Sequence, residues 1–513
     1  VSNNQIVQEN ADLVMLYLEN WYGAEKTSTL DLVMDIVIED NTYEILYAED
    51  YPWWYSDYMM VLEDYAVLYG NFDIPTDEPT IKADIVWTVT GNQMVGLTDF
   101  GLLMMQSVEI DSPSCNITQD LAVEISGNTI EGASEGGLGY SMSPMLGNYD
   151  GYVELNLDLA IENNIITMAV EDESGLSKNP ENSGVAVGPA ESDDGIDLRA
   201  NATITVRASV SGNTITGAAV GASVGEGFYI GERSLPPMSE PKFDVVMLVV
   251  NNFISGSMVG LIVNGGNISI ANNNIEASNI GIEWSDANGD VTGNTVYAPM
   301  GISLEYPNEV SVVGNTVTFM YDGIYVTDVG SGHDWTFDPA VLISGNVLTY
   351  EYMAELMGGL NYVGGGVVLM GVGNIAVMDN TVDSGNYGIF VDGAYNLTVS
   401  GNELLNSYNT GIYLRYVYLG WAESNVIMYA GNFGLNVYEG CWYLPIGNNT
   451  IADNAGTGIE VSESNWNTVM YNNEVTGNGW VIDVESTMWV IDAATKVARN
   501  GVWFDGDIEI RSG

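Results

Sequence analysis

Basic side chains are scarce in this sequence: 11 Lys and Arg stand against 69 Asp and Glu, a formal charge of −58. Such a charge repels nucleic acid, anionic membrane and other polyanions, and it leaves cations as the natural counterions. Cysteine occurs twice and histidine once, which excludes a disulfide-stapled fold and a multi-histidine metal centre. Long apolar runs are missing too. The longest, Val245 to Val250, has six residues, whereas a bilayer-crossing helix needs roughly 20, so no membrane insertion is expected. Proline is sparse at 14 residues, while Gly reaches 59 and 46% of the 513 residues are hydrophobic. That balance excludes bulk disorder and points to an all-β chain rich in tight turns.

A short motif recurs along the second half. It reads NNFI at 251, NNNI at 272, GNTV at 293, GNTV at 314, GNVL at 345, DNTV at 379, GNEL at 401, SNVI at 424, NNTI at 448 and NNEV at 472, in steps of 21 to 34 residues. A second motif interleaves with it: GIEW at 281, GISLE at 301, GIYV at 323, GVVLM at 366, GIFVD at 388, GIYLR at 411, GLNVY at 434 and GIEV at 458. Alternating side chains make each motif a short strand, and Gly or Asn between them tolerates the left-handed backbone of a sharp corner. A period near 22 residues is the mark of a solenoid. One asparagine per coil, at Asn294, Asn315, Asn346, Asn380 and Asn402, is expected to form a buried hydrogen-bonded ladder. Asn465 falls outside the motif register and is expected to matter much less.

These coils resemble the parallel β-helix repeats of pectate-lyase-like and NosD-like surface proteins. The resemblance covers 243–495 best and implies a right-handed helix. The expected fold is therefore an all-β, right-handed parallel β-helix solenoid with a non-repetitive N-terminal β module or cap. The expected divisions are 1–110 for that module, 111–232 for irregular coils around GNTI at 127 and 212, 243–495 for the regular helix, and 496–513 for a C-terminal cap or edge strand. Asp172 to Asp194 and Arg233 to Lys242 are polar or Pro-rich interruptions between coils.

Signs of chemistry are thin. Between 243 and 495 the single Lys or Arg is Arg415, so a uronate-cleaving enzyme would lack the basic groups that hold substrate carboxylates, unless Ca²⁺ replaced them. The one histidine, His333, lies in an insertion with Asp328, Asp334 and Asp338, a place where a solenoid can carry a site. Asp193, Asp194, Asp505 and Asp507 are candidate Ca²⁺ ligands, as is the acidic run Glu171 to Glu173, and no other cofactor is expected. Nine aromatic residues crowd 43–69, from Tyr43 to Tyr69, a composition that suits a protein interface, a sugar platform or plain packing. Cys115 and Cys441 sit in early and late coils, about a dozen rungs of roughly 4.8 Å apart. That is too far for one bridge, so intermolecular disulfides are the expectation. Five sequons, at Asn116, Asn201, Asn267, Asn396 and Asn448, are candidate sites for covalent glycans.

The sequence starts at Val1, which suggests a mature chain whose signal peptide has been removed, and hence a secreted, cell-surface protein. No enzyme is expected. The charge, repeat and missing catalytic groups favour a self-assembling envelope subunit, a homopolymer joined by edge-to-edge β-pairing, and the chain resembles archaeal S-layer and methanogen sheath proteins. The alternative is a carbohydrate-active enzyme or a glycan-binding adhesin on the same scaffold.

Overall fold

The computed structural model describes residues 4–9, 16–23, 29–46, 58–69, 80–111, 116–146, 152–168, 183–189, 197–198, 201–225, 242–329, 340–351, 364–462, 465, 468–484, 489–492, 496–498, 502–504 and 508–511. It divides into two units, Val1–Asn274 and Ile275–Gly513. In both, the described elements are strands paired in parallel with the strand one coil away.

In the second unit a coil is built from three strands, such as Met300–Glu305, Val310–Val313 and Thr316–Phe319. They pair respectively with Asp322–Thr327, Val341–Ser344 and Val347–Tyr350 of the next coil. Strict register carries each inward position onto its equivalent, so Ile302, Ile324, Val367, Ile389, Ile412, Leu435 and Ile459 form one aliphatic stack. All of them are fully buried. Each contributes about 1.5 to 3 kcal/mol relative to exposure, and no coil can bury its own face alone.

The first unit uses the same device with longer coils. Strand Thr80–Thr90 alternates buried and solvent-facing positions, and Ile85, Leu121, Leu157, Val206 and Val245 stack through successive registers. The expectation of a separate non-repetitive module over 1–110 is therefore corrected. Strands Thr29–Glu39 and Thr80–Thr90 pair in parallel as coils of the same kind, and their coils carry the asparagine ladder as well.

That ladder runs within each unit. In the first it links Asn4, Asn41, Asn92, Asn128, Asn164, Asn213, Asn252 and Asn273 in order. In the second it links Asn294, Asn315, Asn346, Asn380, Asn402, Asn425, Asn449 and Asn473. Asn315 illustrates the pattern. Its Nδ2 donates to Val291 O at 2.8 Å and to Asn346 Oδ1 at 2.9 Å. Its Oδ1 accepts the backbone N–H and the Nδ2 of Asn294, both at 2.9 Å. Both donors and both lone pairs are thus used, which is what lets a buried amide sit in a hydrocarbon core.

Two kinds of glycine serve this arrangement. The residue before the ladder asparagine takes the left-handed backbone: Gly314 has φ 66° and Gly345 has φ 64°, and Asn251, Asp379 and Ser424 adopt it where glycine is absent. The glycine that leads each G-I strand has an ordinary φ and is required by space instead. A Cβ on Gly388 would lie 2.6 Å from Gly411 O, and one on Gly411 would lie 2.7 Å from Gly434 O.

Candidate functional site

On the outside of the second unit, strands Tyr387–Ser400, Thr410–Glu423 and Phe433–Val437 lie side by side. Register sets Phe390 against Tyr413 and Tyr395 against Tyr418, and an isolated parallel bridge sets Tyr418 against Trp442. Because parallel strands repeat at about 4.8 Å, rings at matching positions must stack. Phe390 and Tyr413 are 5.0 Å apart at 3° between planes, and Tyr438, two residues past the register partner of Tyr413, adds a ring 5.7 Å from Tyr413 at 27°. In the second column Tyr395 and Tyr418 stack at 5.5 Å and 13°, and Tyr418 meets Trp442 tilted, at 6.1 Å and 41°.

A polar line runs beside these rings. Arg415 Nη1 donates to Asp392 Oδ2 at 3.4 Å, Nη2 lies 3.7 Å from Glu439 Oε2, and the guanidinium sits 4.6 Å above the Tyr416 ring. Nη2 also donates to Tyr416 Oη at 3.2 Å, and that bond, with Asp392 nearby, holds the guanidinium above its ordinary pKa. Burial pushes the Tyr413 hydroxyl upward, so it is protonated and able to donate. Asn436, opposite Tyr413 in the register, is 4% exposed and its Oδ1 has no hydrogen-bond partner. The strip is thus an aromatic surface lined by a guanidinium held between two carboxylates and by hydrogen-bonding groups.

The residues singled out from sequence fall elsewhere. Asn294, Asn315, Asn346, Asn380 and Asn402 are brought together in one buried line. Asn465 is corrected: it is buried, its Oδ1 accepts the Cys441 N–H at 2.8 Å, and its Nδ2 donates to Val437 O and Ser462 O. Cys441 is corrected as well. It is fully buried, its thiol points to the carbonyls of Leu414 and Glu439, and burial pushes its pKa to about 12. A protonated, enclosed thiol is not placed to bond another chain. Cys115 lies outside the described residues.

Asn267 and Asn448 are exposed, and Asn116 and Asn396 are half-buried. The Asn396 Nδ2, the atom a glycan would take, donates to Asn374 Oδ1 at 2.9 Å. Asn201 begins strand Asn201–Ser211, and its side chain lies outside the description. So do Glu171 to Glu173, Asp193, Asp194, His333, Asp334, Asp338, Asp505 and Asp507. Asp328 is described, exposed, with its Oδ2 accepting the Thr327 hydroxyl at 3.0 Å. Among the described residues no group of three or more His, Cys, Asp or Glu could hold a metal ion. Tyr43 is fully buried, a packing residue, and the other eight aromatic side chains of the 43–69 run lie outside the description.

The aromatic strip was missed at the level of sequence. Its signal is present: YGIFVDGAYNL at 387 and TGIYLRYVYLGW at 410 carry rings at outward positions 23 residues apart. It becomes visible once the two segments are aligned by coil.

Residues 300–502 match the family model described as a right-handed beta helix region. No curated protein matches the chain, and no solved structure does. The match and the parallel registers together define an all-β protein built as a right-handed parallel β-helix.

Proposed function

We propose that this chain is a structural subunit of an extracellular cell envelope, an S-layer, sheath or filament, that associates with copies of itself by edge-to-edge β-pairing. The observation that carries the reading is the stacked-coil construction. Every described coil offers the same strand edges and the same asparagine to the next, so the geometry that holds one chain together also suits the addition of another. A charge of −58 per subunit makes packing repulsive once surfaces approach within about a Debye length, roughly 10 Å at 0.1 M salt. Divalent cations, Ca²⁺ foremost, are assigned the role of bridging neighbours. Glycans are placed at the exposed Asn267 and Asn448. Disulfides through Cys441 have no part in this scheme.

Electron microscopy of the purified protein with Ca²⁺, and after chelation at low salt, tests the reading. Regular tubes, sheets or filaments are expected, loosened by the chelator. Monodisperse particles under all conditions would overturn it, and assemblies indifferent to chelation would remove the cations from it.

A further inference from the structure

We propose that the strip formed by the stacked rings of Tyr387–Tyr443 and the Asp392–Arg415–Glu439 line is a binding site for a neutral glycan chain. This goes beyond the assembly reading and does not depend on it. The argument starts from exposure. Tyr418, Tyr438 and Trp442 are 43%, 44% and 43% exposed, although rings of this size normally bury their faces. They lie on two neighbouring coils, and Tyr395, half-buried opposite Tyr418, extends the column to a third, so the apolar surface is continuous along the helix axis and not a scatter of single residues.

The polar groups decide what can lie on it. A pyranose ring presents an apolar face of C–H groups and a rim of hydroxyls that both donate and accept. The strip offers aromatic faces for the first. For the second it offers carboxylate oxygens on Asp392 and Glu439, with guanidinium and Tyr hydroxyl donors. Arg415 stands between two carboxylates, so no net positive charge is left to attract an anion. A polyanionic chain would also meet the field of the whole molecule. A neutral oligosaccharide meets neither obstacle. Stacking at one ring per coil gives a linear ligand repeated contacts along its length, each weak alone and additive when the chain lies along the axis.

The test uses cellohexaose, chitohexaose and mannohexaose as probes, with polygalacturonate as the charged comparison, in affinity electrophoresis and isothermal titration calorimetry on the full chain. At least one neutral probe is expected to bind and polygalacturonate is not. The Tyr418→Ala and Trp442→Ala substitutions should each weaken binding about tenfold or more. Tyr306→Ala, an exposed ring on a different coil, should leave it unchanged. Circular dichroism checks that each variant is folded. If Trp442→Ala is not, Tyr438→Ala and Glu439→Ala carry the same expectation at exposed positions. Absence of binding by every neutral probe would overturn the proposal. Binding that survives Tyr418→Ala combined with Tyr438→Ala would do so too. Loss of self-association in those variants, with no probe bound by the parent chain, would make the strip an interface between copies and would equally sink it.

Discussion

Replacing Asn315 by Leu removes one rung from the ladder, and the structure says what is lost. The Asn294 backbone N–H and its Nδ2 each lose the acceptor they meet at 2.9 Å, and Val291 O loses the donor it meets at 2.8 Å. Asn346 Oδ1 keeps the Asn315 backbone N–H, so its loss is partial. Three polar groups are left unsatisfied in a region closed to water. At about 1 to 3 kcal/mol each, less about 1 to 2 kcal/mol regained by the apolar leucine, the expected destabilisation is about 1 to 8 kcal/mol. The assay is urea denaturation followed by circular dichroism and tryptophan fluorescence together, because stacked repeats can unfold in segments. Asn267→Leu is the comparison, since that side chain is exposed and lies outside the ladder, and a change within about 0.5 kcal/mol is expected there. Equal midpoint shifts for the two variants would refute the reasoning. Asn465→Leu belongs with Asn315, because its amide is buried and bonded.

Asp322 is 3% exposed, and its carboxylate accepts the Gly365 N–H at 3.0 Å, yet burial raises its pKa from 3.8 to about 6. The folded state therefore favours the protonated form: stability is highest below pH 3.8 and falls as pH rises toward 6. Asp322→Asn should abolish that fall and stabilise the chain at pH 7 by up to about 3 kcal/mol, measured as denaturation midpoint against pH; no gain at pH 7 counts against it. Gly411→Ala would press a methyl group onto Ile427 and onto Gly434 O and should cost about 1 to 3 kcal/mol by thermal denaturation, whereas an unchanged melting point would show that the glycine column has room to give. Cys441 should resist alkylation by N-ethylmaleimide until the protein is unfolded, read by mass spectrometry, and rapid labelling of the native chain would contradict its enclosure.

The division between what was legible and what was not follows from the range of the forces involved. Local pattern carried the fold. A strand that alternates as GIYLR does, followed by a residue fit for positive φ and then an asparagine, states its own conformation. Repetition at about 22 residues then states that each copy lies on the last. The N-terminal coils obey the same grammar, with NNQI at 3, DNTY at 40 and GNQM at 91. Their ladder spacing of 36 to 51 residues hid them, because loops and longer strands add length without changing register. What depends on three-dimensional neighbours stayed out of reach. Whether a glycine serves by its φ or by its lack of a Cβ is decided by the carbonyl one coil away. Whether Cys441 faces solvent or Leu414 O depends on how one corner packs. The aromatic strip exists only because register lays Tyr395, Tyr418 and Trp442 over one another. Sequence order sets which residues can alternate, and stacking alone decides which of them share a surface.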